Sequence, residues 1–342
     1  MKIQLSILDQ SPITSGSDAH EAFQQTTCLA KKAEELGYSR FWVSEHHDAP
    51  TLAGSSPEIL MAHLATVTST IRIGSGGVML PHYSPYKVAE NFKVLEALFP
   101  GRIDAGIGRA PAGMPRATYA LNNGEYLNRD QYPQQIDDLH MYLHDTLPKD
   151  HRYEGLKATP LTNNAPPVWM LGTSKESASL AAQKGLPYMF AQFINSEGGR
   201  EAAKFYREHF QASAFTSSPK QAVAVFLFCA ETEDKADWIA SSLDLLMIMQ
   251  QQGMKVEGTP SPEQAAAYPY SQLERELVQL NRERMIVGTP ESARRQLEQI
   301  AQDFGAQEIM LVSITYNFHD KLKSYELIMQ EILKGEKTNE ID

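Results

Sequence analysis

Eight short apolar runs recur along the 342-residue chain, and longer stretches with amphipathic, helix-like patterns separate them. Short apolar runs are typical of buried strands, and apolar residues repeating every three or four positions are typical of helices that pack on a sheet. The predicted strands are residues 3–9, 40–45, 71–80, 102–108, 168–172, 187–191, 222–230 and 306–314. Eight strands that alternate with helices predict an α/β fold, a (β/α)₈ TIM-type barrel. An open doubly wound sheet is the alternative.

Residues that begin and end helices lie where this alternation requires them. Asp18 precedes the first helix, and Ser56-Pro57 and Ser84-Pro85 combine an N-cap residue with proline in the first turn. Gly37 follows the first helix, as glycine commonly does. The predicted helices cover residues 18–36, 57–68, 84–98, 129–145, a stretch from about 175, 197–212 and 319–333.

The alternation breaks at residues 245–285, which include the segment "EGTPSPEQAAAYPYS". Proline, glycine and serine in this number indicate helical pieces around a flexible excursion. We therefore predict one barrel domain over residues 1–335, with an insertion at about 245–285 that could act as a lid. The polar end, residues 336–342, is predicted to be a flexible tail.

Composition narrows the class of function. The formal net charge is −11 and the 31 lysines and arginines are scattered, which argues against nucleic-acid binding. No run of 18 apolar residues or basic-then-apolar leader is present, so a cytoplasmic protein without a membrane span is expected. The two cysteines, far apart in sequence, argue against a disulfide scaffold or a zinc–cysteine site. Small-molecule chemistry is the remaining expectation.

In a barrel of this class the chemistry lies at the C-terminal ends of the strands. Titratable, cationic and glycine-rich segments follow the predicted strands here. These segments are Glu45-His46-His47, Gly74-Ser75-Gly76-Gly77, Gly106-Ile107-Gly108-Arg109, Gly172-Thr173-Ser174 and Gln192-Phe193-Ile194-Asn195. Each alone has a structural explanation, such as an ion pair or a turn, but their convergence predicts a functional site.

A phosphate site is predicted at the end of the fifth strand. Thr173 and Ser174 are N-cap residues, and Glu176 completes a Thr-x-x-Glu capping box. Free N–H groups at a helix start, the hydroxyl of Ser177 and the nearby cation Arg109 suit a phosphate. An ordinary capped helix is the alternative, and Thr289-Pro290-Glu291 is a weaker rival site.

Two other motifs are set aside. "GIGRAPAG" follows a strand but lacks the glycine spacing of a dinucleotide-binding fingerprint. His140 and His144 have the spacing of helical metal ligands, but no third ligand partners them and a solvated helix face explains them. His46 and His47 point to opposite faces if the strand continues through them, so they are not expected to share a metal ion.

Several blocks of the chain resemble the bacterial-luciferase-like flavin monooxygenase family. They are "FWVSEHH", "IRIGSGGVMLPHYSPYKVAENFKVLEALFPGRIDAGIGRAP", "ESASLAAQKGLPYMFA" and "VGTPESARRQLEQI", in the family's order. The resemblance implies a (β/α)₈ barrel, usually dimeric, that takes reduced FMN from a separate reductase and reacts it with O₂.

The resemblance also implies roles for individual residues. His46 is similar to the family's catalytic histidine, Arg109 to its flavin-phosphate arginine, and Glu176 and Ser177 to its phosphate-helix residues. The other residues expected near the cofactor are Gly172, Thr173 and Ser174, together with Gly76-Gly77, which we predict to be joined by a cis peptide bond beneath the flavin ring. Gly108 stands where luciferase has a cysteine, which puts light emission in doubt.

An imidazole that titrates near neutral pH can exchange protons during oxygenation, so His46 is the predicted acid–base group. Glu45 is predicted to orient the pocket through Arg109 or a ring N–H. Two other functions stay open at this point: an F420 (deazaflavin)-dependent dehydrogenase or reductase on the same barrel, and a non-catalytic flavin-binding protein. The substrate is not readable from the sequence.

Overall fold

The computed structural model describes residues 3–109, 113 and 115–339. Ten strands are assigned within these residues. They are β1 (Gln4–Asp9), β2 (Arg40–Val43), β3 (Arg72–Ser75), β4 (Val78–Met79), β5 (Ile103–Gly108), β6 (Val168–Gly172), β7 (Tyr188–Ala191), β8 (Gln221–Cys229), β9 (Met285–Gly288) and β10 (Glu308–Val312). All eight predicted strands are present, and the predicted run 71–80 is divided into β3 and β4.

Parallel pairing closes the sheet into a barrel. The order β10–β1–β2–β3–β5–β6–β7–β8 is completed by pairing of β10 with β8. At the closure, Leu311 is the register partner of Ile7 on one side and of Val225 on the other. This is the predicted (β/α)₈ barrel, and the alternative of an open sheet is wrong.

Helices cover the outside of the barrel in the described chain. They are α1 (Ala19–Leu36), α2 (Pro57–Val67), α3 (Pro85–Leu98), α4 (Pro115–Leu121), α5 (Tyr132–His144), α6 (Lys175–Lys184), α7 (Gly199–His209), α8 (Glu233–Gln251), α9 (Pro262–Ala267), α10 (Gln272–Arg282), α11 (Pro290–Phe304) and α12 (Phe318–Asn339). The predicted caps hold for α1, where Asp18 accepts from the backbone N–H of Glu21 and Gly37 has φ 85°. None of the described helices is long and apolar enough to cross a membrane.

Helical pieces lie within residues 245–285, as predicted, since α8 continues through Gln251 and buries Leu245, Leu246 and Ile248, and α9 and α10 follow. After α9 and α10 the chain adds β9, a strand that was not predicted, which pairs with residues 226–229 of β8. The polar segment at the C-terminus was expected to be flexible from residue 336, but α12 extends to Asn339, and residues 340–342 lie outside the described chain.

An ionic layer lies at the N-terminal end of the barrel. Arg40, Arg72 and Glu308 are the first residues of β2, β3 and β10, and Asp104 is the second of β5. The buried Asp104 carboxylate accepts from Arg40 Nη1 at 2.7 Å, Arg72 Nη2 at 2.6 Å and Trp42 Nε1 at 3.2 Å. Arg40 Nε donates in addition to Glu308 at 2.9 Å. Polar groups are thus paired with one another at this end of the barrel.

We expect Asp104→Ala to lower the free energy of unfolding by about 3–5 kcal/mol, because it leaves two partly buried guanidinium groups without their shared carboxylate. Denaturant unfolding followed by circular dichroism measures the change. Lys204→Ala is the matched control, since its pair with Glu208 is exposed on both sides and is worth about 0–1 kcal/mol. Equal losses in the two variants would contradict a stabilising role for the layer.

Candidate active site

A cavity of about 270 Å³ opens at the C-terminal ends of the barrel strands. Most of its wall is apolar, from Leu8, Trp42, Met79, Leu171, Met189, Ala191, Phe193, Ile194, Ala224 and Met310. Four outer grooves are larger, from about 420 to about 670 Å³, but helix and loop residues or the N-terminal ends of strands line them. The strand-end cavity is therefore the candidate active site.

Backbone rather than side chain forms part of the cavity wall at the end of β3. Gly76 and Gly77 both line the cavity and are joined by a cis peptide bond, so that prediction is confirmed. A Cβ on Gly76 would lie 2.6 Å from Leu8 Cδ1, and one on Gly77 would lie 2.6 Å from Leu171 Cδ1. Because no side chain fits at these positions, a flat ligand can approach the peptide backbone closely.

Cations and hydroxyls also line the cavity. Arg109 follows β5, and Thr173, Ser174 and Ser177 follow β6. Arg129, from the loop before α5, lines the cavity as well and was not predicted from the sequence. The described cavity lining contains two cations and no carboxylate, so it suits an anion.

The first turn of α6 reaches the cavity because residue 172 is glycine. A Cβ on Gly172 would lie 2.1 Å from Ser177 Oγ. With any other residue at position 172, this clash would keep the helix from lying so close to β6. Ser177 Oγ donates to the carbonyl oxygen of Ser174 at 2.7 Å and is 2.9 Å from Tyr188 Oη. The hydroxyl facing the predicted phosphate position is thereby held in place by backbone and tyrosine.

The capping box predicted from Thr173 and Glu176 is wrong. Ser174 is the N-cap residue and pairs with Ser177, since α6 starts one residue later than the Thr-x-x-Glu pattern requires. Glu176 does not line the cavity. Its pKa lies below the usual value, because Ser174 donates a hydrogen bond to its carboxylate and the charge of Arg109 adds to the effect. Seven of the eight residues predicted near the cofactor line the cavity, and Glu176 is the exception.

The segment Glu45-His46-His47 follows β2, which ends at Val43. The premise that the two histidines alternate along an extended strand is therefore wrong. The backbone N–H of His46 donates to the Gly54 carbonyl, and its Nδ1 lies 3.0 Å from Ser44 Oγ. Neither His46 nor Glu45 is among the residues that form the cavity wall.

The argument that His46 titrates at working pH is also wrong. Burial, and then the nearby His47, lower the pKa of His46 to about 4, so the imidazole is neutral at pH 7. The unfolded imidazole, with a pKa of 6.5, takes up a proton more readily than the native one. The contribution of neutral His46 to stability is thus complete above pH 6.5 and is lost as the pH falls toward 4.

Glu45 is buried and has three hydrogen-bond donors. Its Oε1 accepts from His47 Nε2 and from Tyr83 Oη, both at 2.8 Å. Its Oε2 accepts from the backbone N–H of Met79 at 3.0 Å. Of the two partners predicted for Glu45, the ring N–H is therefore the one observed, and it belongs to His47. Because Met79 lines the cavity two residues after the glycine pair, Glu45 fixes the position of that wall.

The histidine pair that the sequence analysis set aside stays outside the site. His140 is not on a solvated face: both of its ring nitrogens are buried, and His144 stacks on Phe215 at 3.9 Å. No cluster of potential metal ligands occurs among the described residues. The backbone N–H of Thr289 already donates to Glu233 at 3.2 Å, and a carboxylate there disfavours a phosphate.

The residues that sequence reasoning missed lack a strand-end signature. Arg129 arrives on a long loop, and Trp42, Met189 and Met310 lie within apolar runs where an inward-facing residue looks like core. Their alternation along the strands was the available signal, because every second residue of a barrel strand faces the interior.

The chain is similar to proteins of known sequence along nearly all of its length. An uncharacterised protein of Bacillus subtilis (strain 168), YwcH, is 54% identical over 96% of this chain and 98% of its own. The N-acetyl-S-alkylcysteine monooxygenase of the same organism is 38% identical over 98% of this chain and 100% of its own.

Solved structures agree. Apo-MsnO8 superposes with a TM-score of 0.89 at 36% identity, over 97% of this chain and 98% of its own. The oxygenating constituent of 3,6-diketocamphane monooxygenase, solved with FMN, has a TM-score of 0.70 at 21% identity, over 96% and 97% of the two chains, which shows a shared fold. Residues 1–308 match the family described as luciferase-like monooxygenase, and the chain belongs to that family.

Proposed function

We propose that the protein is a flavin-dependent monooxygenase that uses reduced FMN, supplied by a separate reductase, and O₂ to oxygenate a small organic substrate. The observation that carries the proposal is the composition of the cavity lining, in which two arginines and three hydroxyls accompany apolar side chains. FMN has the same two kinds of group, since an aromatic ring system is joined through a chain to a phosphate dianion.

The residues present fit FMN. Arg109 and Arg129 together carry the charge that a phosphate dianion would need, and Ser174 and Ser177 offer hydroxyls beside them. The ring system would lie against the backbone of Gly76 and Gly77, where a Cβ would collide with Leu8 or Leu171. Reduced FMN, when bound, would supply the electrons that activate O₂.

His46 is proposed to move a proton during oxygenation, as a base rather than an acid. Its pKa of about 4 keeps the ring neutral at pH 7, although it also makes the ring a weak base. With Nδ1–H donating to Ser44 Oγ, Nε2 would be the nitrogen that takes up the proton. Glu45 is proposed to act through other residues, by holding His47 and Met79 in place.

The F420-dependent alternative is the weaker one. An F420-dependent secondary alcohol dehydrogenase shares the fold at a TM-score of 0.66, but at 18% identity the likeness does not extend to function. A longer anionic cofactor tail would require further cations, and Arg109 and Arg129 are the two found in the described cavity lining. The N-acetyl-S-alkylcysteine monooxygenase relative makes S-alkylated amino-acid derivatives a sensible first set of substrates to test.

We also propose a homodimer through the outer faces of α2 and α3. Ile59 of α2 is 75% exposed, and Val94 and Leu98 of α3 are 45% and 61% exposed. The two helices are neighbours, since Asn91 Nδ2 donates to Glu58 at 3.4 Å. Apolar side chains grouped on one face are typical of a surface that a second copy covers.

Arg109→Ala should weaken FMN binding by about tenfold or more, because a charge-assisted contact to the phosphate, on the order of 1.5–3 kcal/mol, is lost. Riboflavin has no phosphate, so its affinity should change less than twofold (~0.4 kcal/mol). Fluorescence titration of both flavins measures the difference. Arg116→Ala is the control, since this exposed arginine pairs with Asp48 outside the cavity. Equal weakening of FMN and riboflavin would make Arg109 a structural residue.

The function itself is tested by mixing the protein with photoreduced FMN and then with air. A monooxygenase should show a transient absorbance that differs from those of oxidised and reduced FMN, and should transfer oxygen to a substrate. FMN reoxidation no different from that of free FMN would argue against a monooxygenase.

We expect the His46→Ala variant to bind reduced FMN about as well as wild type does. Its oxygenation turnover should fall by roughly 10²-fold, the usual scale for an acid–base group.

Ile59→Glu combined with Leu98→Glu should shift the protein from dimer to monomer in sedimentation, because two charges per subunit would be desolvated in the interface. Leu273→Glu, an exposed leucine of α10 outside this surface, should leave the dimer intact. A wild-type protein that sediments as a monomer would refute the dimer without affecting the proposed chemistry.

A further inference from the structure

Arg284 lies between α10 and β9 and contacts a residue of the cavity wall. Its Nη1 donates to the carbonyl oxygen of Ile194 at 2.5 Å, and its Nη2 donates to Asn281 Oδ1 at 2.7 Å and to Met247 Sδ at 3.6 Å. Ile194 and the preceding Phe193 line the cavity after β7. The guanidinium therefore lies next to the wall that follows β7, whereas Arg109 follows β5.

This charge has no counterion in the described chain. Arg284 forms no ion pair with a carboxylate there, its buried Nε has no hydrogen-bond partner, and burial lowers its pKa. Arg282, two residues earlier, pairs with Asp244 at 2.7 Å and with Asp237 at 3.1 Å. Acidic residues outnumber basic ones by 42 to 31 in the sequence, so a shortage of carboxylates does not explain the difference.

A partly buried cation without a carboxylate is costly to keep, and a neutral residue could donate to the Ile194 carbonyl equally well. The remaining donor capacity of Arg284 can be satisfied by an anion that is bound only part of the time. Nη1 has one further N–H without an acceptor in the described chain, and it can donate a charge-assisted hydrogen bond to a carboxylate.

We propose that Arg284 recognises the carboxylate of the substrate, and that the substrate is an apolar organic acid. The apolar body would contact the wall that includes Met189, Phe193 and Met310, and the carboxylate would pair with Arg284 at its border. The oxygenation of such an acid rests on the proposed function, but its binding does not.

Octanoate and its neutral counterpart octanamide are suitable probes, measured by calorimetry on the FMN-loaded protein and on the flavin-free protein. Wild type should bind octanoate about tenfold or more tightly than octanamide, the size expected for one charge-assisted contact. Arg284→Gln should bring this ratio close to one. Glutamine removes the charge but retains an amide N–H that can donate to the Ile194 carbonyl. Arg275→Gln, an exposed arginine in the outer groove beside α10, should leave the ratio unchanged.

The outcomes separate the two proposals. The role of Arg284 is overturned if wild type shows no preference for octanoate, which includes the case in which neither probe binds. It is also overturned if the preference survives Arg284→Gln. If the preference disappears on FMN loading and Arg284→Gln weakens FMN but not riboflavin, the anion is the flavin phosphate and the substrate inference is wrong. Failure to bind FMN, with an octanoate preference that depends on Arg284, would refute the proposed function alone.

Discussion

Backbone contacts between neighbouring strands at the C-terminal end of the barrel set the geometry on which the cavity depends. A Cβ on Gly106 would lie 2.0 Å from the Ser75 carbonyl oxygen, and one on Gly77 would lie 2.8 Å from the Gly106 carbonyl oxygen. Ser75 Oγ donates to that same Gly106 oxygen at 2.7 Å. Any side chain at either glycine would separate β3 from β5, and the wall that brings backbone to a ligand would be lost.

Polar anchoring outside the cavity holds this wall in register. Glu45 accepts from the Met79 N–H, two residues after the glycine pair, and its other oxygen binds His47 and Tyr83. The buried carboxylate is satisfied by donors from three segments, so its desolvation is compensated without a lysine or arginine. A residue that looks catalytic by its position beside two histidines thus has a clear structural task as well.

Much of the fold follows from local sequence. Residues 222–230 are apolar without interruption, as expected for a strand that is buried on both faces. Gly37 ends α1, as glycine commonly ends a helix. The site was predictable only where a strand end carries an unusual residue, as at Arg109. Contacts between distant segments were not predictable. Arg129 reaches the cavity on a loop, residues 285–288 form β9 by pairing with the distant strand β8, and the neutral state of His46 depends on its burial in the folded chain.

The two arginines of the cavity belong to a chain whose formal net charge is −11. An anion that approaches from solution is therefore repelled by the protein as a whole, and is attracted only after it comes within about one Debye length, ~8 Å at 0.15 M salt. Screening weakens the distant repulsion more than the contact inside the cavity. Capture and retention thus depend on different charges: the acidic surface governs how often an anion arrives, and the arginines govern how long it stays.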